Sequence, residues 1–261
     1  MLETARFDGK RRVRGTAILA VGLSLYSAFI IWYFDVADAE AYEAVVESVP
    51  PELVEAFGVA ALGSIEGWLG AQIYTFVWML GLGIYFAYLG AGLVAKDIER
   101  QRMDMIAVFP VSRARLLGEK FASLLVPIIG LNIAICVVNY ALVIAVGEST
   151  EFGRVVLVHT LSIPYFLVCA ALGVLLSVMV HRAAVAERLA IGFMFFFWMF
   201  ESVVGTVDTF SWLRYASPTY YYRTTEILID GTYEVLHPLI LLIAFIGIFG
   251  SALLLFKRRD L

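Results

Sequence analysis

The sequence predicts an all-α polytopic membrane protein with six transmembrane helices, on the evidence of its composition and the length of its apolar runs. Apolar residues make up 61% of the 261 residues and charged residues 16%, with a mean hydropathy of +0.86. Soluble domains contain about 45–50% apolar and about 25% charged residues, so this composition does not suit a water-soluble surface. A bilayer-spanning helix needs about 20 apolar residues. Six runs meet this requirement: 16–34, 71–95, 121–146, 154–180, 188–205 and 238–256.

The runs leave little chain for a second domain, so residues 1–261 are predicted to form a single transmembrane domain. The first run ends at Asp35 without a small-residue cleavage site, which favours an uncleaved first helix over a signal peptide. The fifth run is the shortest. The segment 206–237 that follows it contains Pro218 and Gly231, and a broken or re-entrant helix is expected there.

The distribution of Lys and Arg predicts the orientation, because these residues collect in short cytoplasmic loops. Five lie in the N-terminal segment 1–15, six in the loop 96–120, two in the turn 181–188 and three at the C-terminus. Both termini and the loop 96–120 are therefore predicted to be cytoplasmic, in the plasma membrane. The outer loop 35–70 carries eight Asp or Glu and no Lys or Arg, which suits either a high-salt habitat or the attraction of cations.

Motifs for catalysis are absent from the sequence. It contains no GxxxxGK[ST] phosphate-binding loop, no HExxH pair and no GxSxG elbow. The three histidines, at 159, 181 and 237, are far apart, and both cysteines, at 136 and 169, lie in apolar runs. We therefore expect no catalytic residues, no metal site and no cofactor in this chain.

The loop 96–120 is too long and too patterned for a simple connection between spans. Pro110 is expected to end a first helix, because the residue before proline is pushed out of the helical region. Ser112 is then expected to cap the helix that leads into the third span. The first helix offers apolar side chains either to a partner groove or to the membrane interface as an amphipathic turn: Ile98, Met105, Ile106 and Phe109.

Four stretches together carry a family resemblance. Residues 99–120 contain an acidic and basic stretch, then FPVSR and GEK, and resemble the first cytoplasmic loop of type 2 ATP-binding-cassette (ABC) exporter permeases. PPELVEAFG at 50–58 with GSIEGWLGAQIY at 63–74, YASPTYYYRTTEILIDG at 215–231, and the FKRRDL ending are similar to the same permeases. The sequence QRM at 101–103 differs, because many relatives carry a small Gly-Thr pair there.

The resemblance implies a six-helix permease bundle that exports a substrate with ATP hydrolysed by a separate subunit. Its partners would be two copies of an ABC ATPase, which bind the ATP and Mg, and a second permease, identical or related; no nucleic acid is expected. The segment 1–15 resembles an elbow helix lying on inner-leaflet lipids. Residues 97–109 would form the coupling helix that contacts the ATPase, through Asp97, Ile98, Arg100, Met103, Met105, Ile106 and Phe109.

Polar residues within spans are costly and usually face the protein interior. Asn132 and Asn139 are seven residues apart and share a helix face, where they can bond to neighbouring helices or line a substrate pathway. Glu201 can pair with Arg214 or Arg223, or serve an outer gate. The second span has a flank of small residues suited to close packing: Gly81, Gly83, Ala87, Gly90, Ala91 and Gly92.

The alternative functions are a stand-alone membrane enzyme and an ion-coupled secondary transporter. A carrier of the second kind usually shows two repeated halves with broken helices and buried ionisable residues. The sequence shows no convincing repeat, and Glu201 is the one candidate for carrying charge. A third alternative is an accessory membrane subunit without a pathway of its own.

The coupling-helix assignment predicts the effect of Phe109→Asp. A carboxylate in place of an apolar ring should weaken ATPase binding and leave membrane insertion intact, because residue 109 lies outside the spans. Co-purification of the ATPase with tagged protein measures this, and normal association in the variant would remove the assignment.

Overall fold

The structure, a computed structural model, describes residues 3–36, 50, 63–99, 112–204 and 208–258. Six helical stretches among them are long and apolar enough to cross a membrane, and the described part contains no strand. The prediction of an all-α polytopic membrane protein is therefore confirmed. The helices are α1 Glu3–Val36, α2 Ile65–Glu99, α3 Arg113–Ala122, α4 Leu125–Ala145, α5 Phe152–Met179, α6 Ala183–Val204, α7 Thr224–Asp230 and α8 Leu236–Arg258; α3 and α4 together make the third span.

Helix α1 differs from the expected arrangement. Residues 3–36 form one unbroken helix, so within the described residues the basic segment is continuous with the first span. No proline interrupts this stretch, and the helix simply continues through its basic residues. The basic part packs on the third span, where Arg12 Nε donates to Ser123 Oγ at 3.0 Å. A Cβ on Gly9 would lie 3.2 Å from Val126.

Helix α2 changes its winding along its length. Residues Ile65–Leu69 are α-helical, Gly70–Leu82 are π-helical, and Gly83–Glu99 are again α-helical. Ser64 caps the start, since its side chain accepts from the Gly67 N–H at 3.1 Å. Inside the π-helix, Thr75 Oγ1 donates to the Gly70 carbonyl at 2.8 Å. Such π-helical segments are rare and often occur at functional sites.

Helices α2 and α5 approach each other at backbone distance. A Cβ on Gly90 would lie 2.2 Å from the Ala170 carbonyl oxygen, and a Cβ on Gly173 would lie 2.0 Å from that of Ala87. One turn further on, Ser177 Oγ accepts from two backbone N–H groups of α2, at 3.0 and 2.9 Å. Small residues permit this approach. The packing role expected for the glycines of the second span is confirmed at Gly90.

Gly83 and Gly92 of α2 also lie close to neighbouring side chains, whereas Gly81 does not. A Cβ on Gly83 would meet the Tyr165 hydroxyl at 2.7 Å, and a Cβ on Gly92 would meet Glu187 and Lys96 at 3.0 Å. At Gly81, the one atom of the described residues within 4 Å of an added Cβ is the Phe76 carbonyl oxygen of α2 itself, at 3.5 Å.

The segment between α6 and α8 is a succession of short helices. Two 3₁₀ turns, Asp208–Ala216 and Pro218–Tyr221, precede α7. Helix α7 ends at Gly231, whose φ of +65° favours glycine. Arg154 of α5 donates to the last carbonyls of α7, those of Leu228 at 3.2 Å and Ile229. These contacts hold the segment against α5.

The α2–α5 contact predicts the effect of added methyl groups. Gly90→Ala and Gly173→Ala should each destabilise the protein by about 1–3 kcal/mol, because the new Cβ overlaps a backbone carbonyl. Thermal unfolding of the detergent-solubilised protein, followed by size-exclusion chromatography, measures this. Gly247→Ala in α8 is the matched control, since its Cβ meets nothing within 4 Å. Equal stability of Gly90→Ala and the control would contradict the contact.

Candidate functional site

The loop that resembles a coupling loop leaves the bundle at Glu99 and returns at Ser112. Ser112 is the N-cap of α3, since its Oγ accepts from the Arg115 N–H at 3.3 Å, and this confirms the predicted cap. Residues 100–111 lie outside the described residues. The contact roles assigned to Arg100, Met103, Met105, Ile106 and Phe109 therefore stay predictions.

An ion pair joins the two ends of this loop. Asp97 Oδ2, in the last turn of α2, pairs with Lys120 Nζ of α3. Their side chains are 14% and 10% exposed, so water screens the pair little. Ile98 is partly buried against the hydrophobic core of the same chain. Asp97 and Ile98 are both half-buried beside α3, and the ATPase contact assigned to them stays a prediction.

Three further polar contacts surround this ion pair. Lys96 Nζ lies 2.6 Å from Glu187 Oε1 and joins α2 to the start of α6. Ser123 Oγ donates to the Lys120 carbonyl at 2.6 Å and accepts from Arg12 of α1. We call this group the loop-base cluster, and it ties four helices together at one end of the bundle. Its members are Arg12, Lys96, Asp97, Lys120, Ser123 and Glu187.

The two asparagines of α4 both make helix–helix contacts. Asn132 Oδ1 accepts from Ser162 Oγ of α5 at 2.8 Å, and its Nδ2 donates to the Ile128 carbonyl at 2.8 Å. Asn139 Nδ2 donates to the Tyr74 hydroxyl of α2 at 3.1 Å. Both residues are buried, so they share an interior face as predicted. Helix–helix hydrogen bonding accounts for these contacts, and a pathway role stays a prediction.

A buried polar group at the α2–α4–α5 junction was missed in the sequence. The Tyr74 hydroxyl lies 3.0 Å from His159 Nε2, and the Trp78 ring stands nearly perpendicular to the imidazole at a centroid distance of 4.5 Å. A tyrosine or tryptophan in an apolar run is usually an ordinary core residue. Only the spacing of Asn139 from Asn132 indicated a polar face here, and it did not identify the partners on the other helices.

Of the two roles considered for Glu201, the ion pair with Arg214 or Arg223 does not form among the described residues. Glu201 is half-buried near the end of α6, and neither Arg214 nor Arg223 comes within 4 Å of it among the described residues. Arg223 pairs with Glu226 instead. The guanidinium carbons of Arg214 and Arg223 lie 5.0 and 4.9 Å from the centre of the Tyr220 ring. Both arginines are thus within cation–π distance of Tyr220, and the gate role of Glu201 stays a prediction.

A family model described as ABC-2 family transporter protein matches residues 5–261. The chain belongs to the ABC-2 transporter family. This confirms the resemblance found in the loop, the outer segments and the C-terminal ending. No curated relative matches the chain significantly.

Family membership and the six apolar helices together make this chain a multi-pass membrane protein and the permease component of an ABC transporter. Members of the family partner with an ABC ATPase. Within the described residues of this ABC-2 permease, no group of three or more His, Cys, Asp or Glu could hold a metal ion.

The Asp97–Lys120 ion pair predicts how charge-reversing substitutions change the stability of the protein. Asp97→Lys or Lys120→Asp alone places two like charges in an enclosed contact, and each should destabilise the ABC-2 permease by about 3 kcal/mol or more. The double variant restores opposite charges and should recover part of the loss. Melting temperatures in detergent measure both effects.

The control for this swap is Glu99→Lys, which reverses an exposed charge in the same turn of α2. Surface charges contribute about 0–1 kcal/mol, so this variant should stay close to the parent. A double variant no more stable than the two single variants would show that the pair does not join the loop ends.

Proposed function

We propose that this ABC-2 permease exports a substrate across the plasma membrane with energy from ATP hydrolysed by two separate ATPase subunits. The ATPases dock on the loop that contains residues 97–109, and the permease acts with a second copy, identical or related. The observation that carries the proposal is the loop-base cluster, in which two ion pairs fix the loop ends to the spans.

The cluster supports the proposal because it gives a docked ATPase a direct mechanical connection to the bundle. The Asp97–Lys120 pair prevents the two ends of the loop from separating, so a displacement of the loop moves α2 and α3 together. The Lys96–Glu187 pair extends that connection to α6. Each enclosed charge has a desolvation cost. Enclosed ion pairs at the ends of the loop therefore favour a loop that is held in place over a mobile connection between spans.

The charge distribution supports a cytoplasmic location for this end. Lys96, Arg115 and Lys120 lie at the loop base, and Lys257 and Arg258 end α8. Lys and Arg collect on the cytoplasmic side of membrane proteins. Soluble ATPase subunits, which bind ATP and Mg, would reach the loop from that side.

Exposed apolar faces support the pairing with a second permease. The apolar stretches of α8, α1 and α6 are 17%, 22% and 28% buried, against 61% for those of α2 and α5. The exposed side of α6 carries large side chains that can pack on another copy as well as on lipid: Leu189, Phe193, Phe195, Phe196 and Met199. Helix α1 exposes a similar set: Ile18, Leu25, Phe29 and Trp32.

Purification of the tagged permease in mild detergent from its native host tests the proposal. Native mass spectrometry should show two permeases with two copies of a nucleotide-binding subunit, and ATP hydrolysis by that subunit should rise on assembly. A catalytically dead ATPase should keep the assembly and lose transport. Transport or catalysis by the permease without any ATPase would instead support the stand-alone carrier or enzyme.

A further inference from the structure

Three fully enclosed polar atoms at the α2–α4–α5 junction have no hydrogen-bond partner among the described residues. They are Trp78 Nε1, Asn139 Oδ1 and His159 Nδ1. Buried polar groups in proteins are almost always hydrogen-bonded, to protein or to ordered water. Three unpartnered atoms on side chains that adjoin one another therefore indicate a shared partner.

The three residues form one connected group. Asn139 Nδ2 donates to the Tyr74 hydroxyl at 3.1 Å, and that hydroxyl lies 3.0 Å from His159 Nε2. The His159 and Trp78 rings are in contact, with centroids 4.5 Å apart. The unpartnered atoms thus sit on side chains that touch one another in a chain from α4 through α2 to α5.

The hydrogen bonds within the group assign the histidine tautomer. The Tyr74 oxygen accepts from Asn139, and His159 Nε2 is the one acceptor for its O–H group among the described residues, so the O–H donates to Nε2. An imidazolium would be costly among apolar spans, so the ring is neutral. A neutral ring that accepts at Nε2 carries its proton on Nδ1. The unpartnered set is therefore two N–H donors, on Trp78 and His159, and one acceptor, Asn139 Oδ1.

We propose that this junction binds ordered water, bridging Trp78 Nε1, Asn139 Oδ1 and His159 Nδ1 within the spans. Water has two acceptor sites for the two N–H groups and a donor for the asparagine oxygen, and buried waters typically make about three hydrogen bonds. An anion would be repelled by Asn139 Oδ1 and a cation by the two N–H groups. Among simple guests, water alone matches all three atoms.

The water completes a polar connection between three helices. Tyr74 and Trp78 belong to the π-helical part of α2, Asn139 to α4 and His159 to α5. Water bridges make hydrogen bonds of nearly full strength and adapt to small changes in distance. The site therefore lets the π-helical part of α2 shift against α4 and α5 without leaving buried polar groups unpaired.

A high-resolution cryo-EM map of the full-length permease in lipid nanodiscs tests the site without any substitution. At a resolution that shows other interior waters, density should appear within hydrogen-bond distance of both Asn139 Oδ1 and His159 Nδ1. Empty space at this position, an acyl chain, or direct side-chain contacts that pair the three atoms with one another would overturn the proposal.

Ultraviolet resonance Raman spectroscopy of the indole N–H group gives a second test. The difference spectrum between the parent and Trp78→Phe should show a hydrogen-bonded N–H, with a band position equal to that of the matched control, Trp68→Phe. Trp68 Nε1 donates to the Ile30 carbonyl at 3.0 Å, so its signal defines the bonded state. A free N–H at Trp78 would overturn the proposal.

The Tyr222 hydroxyl is the protein group that could bond to the Trp78 N–H in place of water. It lies close enough to interact with Trp78, although no hydrogen bond of normal geometry reaches Trp78 Nε1, and it donates to the Val158 carbonyl at 2.9 Å. The Raman comparison is therefore repeated in a Tyr222→Phe background. The bonded signal of Trp78 should persist there, because water supplies it. Its loss in that background would assign the bond to Tyr222 and overturn the water site.

Discussion

The backbone contact between α2 and α5 determines where the remaining helices of this permease can lie. Inside a bilayer the lipid tails are as apolar as the side chains, so helices associate through close packing and hydrogen bonds. Gly90 and Gly173 bring each helix against a carbonyl oxygen of the other, and Ser177 adds a side-chain acceptor. Any larger side chain at these two positions would separate the helices. The most buried part of the protein is built around this contact.

Helix α2 connects the two regions that we assign to function. Its last turn enters the loop-base cluster through Lys96 and Asp97, and its π-helical part contributes Tyr74 and Trp78 to the polar junction with α4 and α5. The start of α2 packs against α7, where a Cβ on Gly70 would lie 3.3 Å from the Thr225 backbone. Under the proposed function, a displacement of the loop would be carried by α2 along the α5 contact toward the opposite end of the bundle. This continuity would connect ATPase docking to a change in helix packing.

Local patterns in the sequence predicted the features that depend on neighbouring residues. The six apolar runs, the Ser112 cap and the shared face of Asn132 and Asn139 follow from hydropathy, from proline and serine preferences and from helix periodicity. The Asp97–Lys120 pair and the bond between Tyr74 and His159 join residues that are distant in the chain. Such pairs depend on how each helix is rotated about its axis, which apolar runs do not specify. The pairing of Glu201 with Arg214 or Arg223, one of the two roles considered for it, depends on the same rotation, and Arg223 pairs with Glu226 instead.

The proposed function requires that the loop anchored by the Asp97–Lys120 pair contact the ATPase. This contact can be tested with a photo-crosslinking amino acid at position 105 in the assembled complex in membranes, and with the same amino acid at exposed position 99, at the end of α2, as the control. We expect a crosslink from position 105 to the nucleotide-binding subunit, with a yield that changes when ATP is added. Crosslinks from position 105 to lipid alone, in a preparation that retains the ATPase, would contradict it.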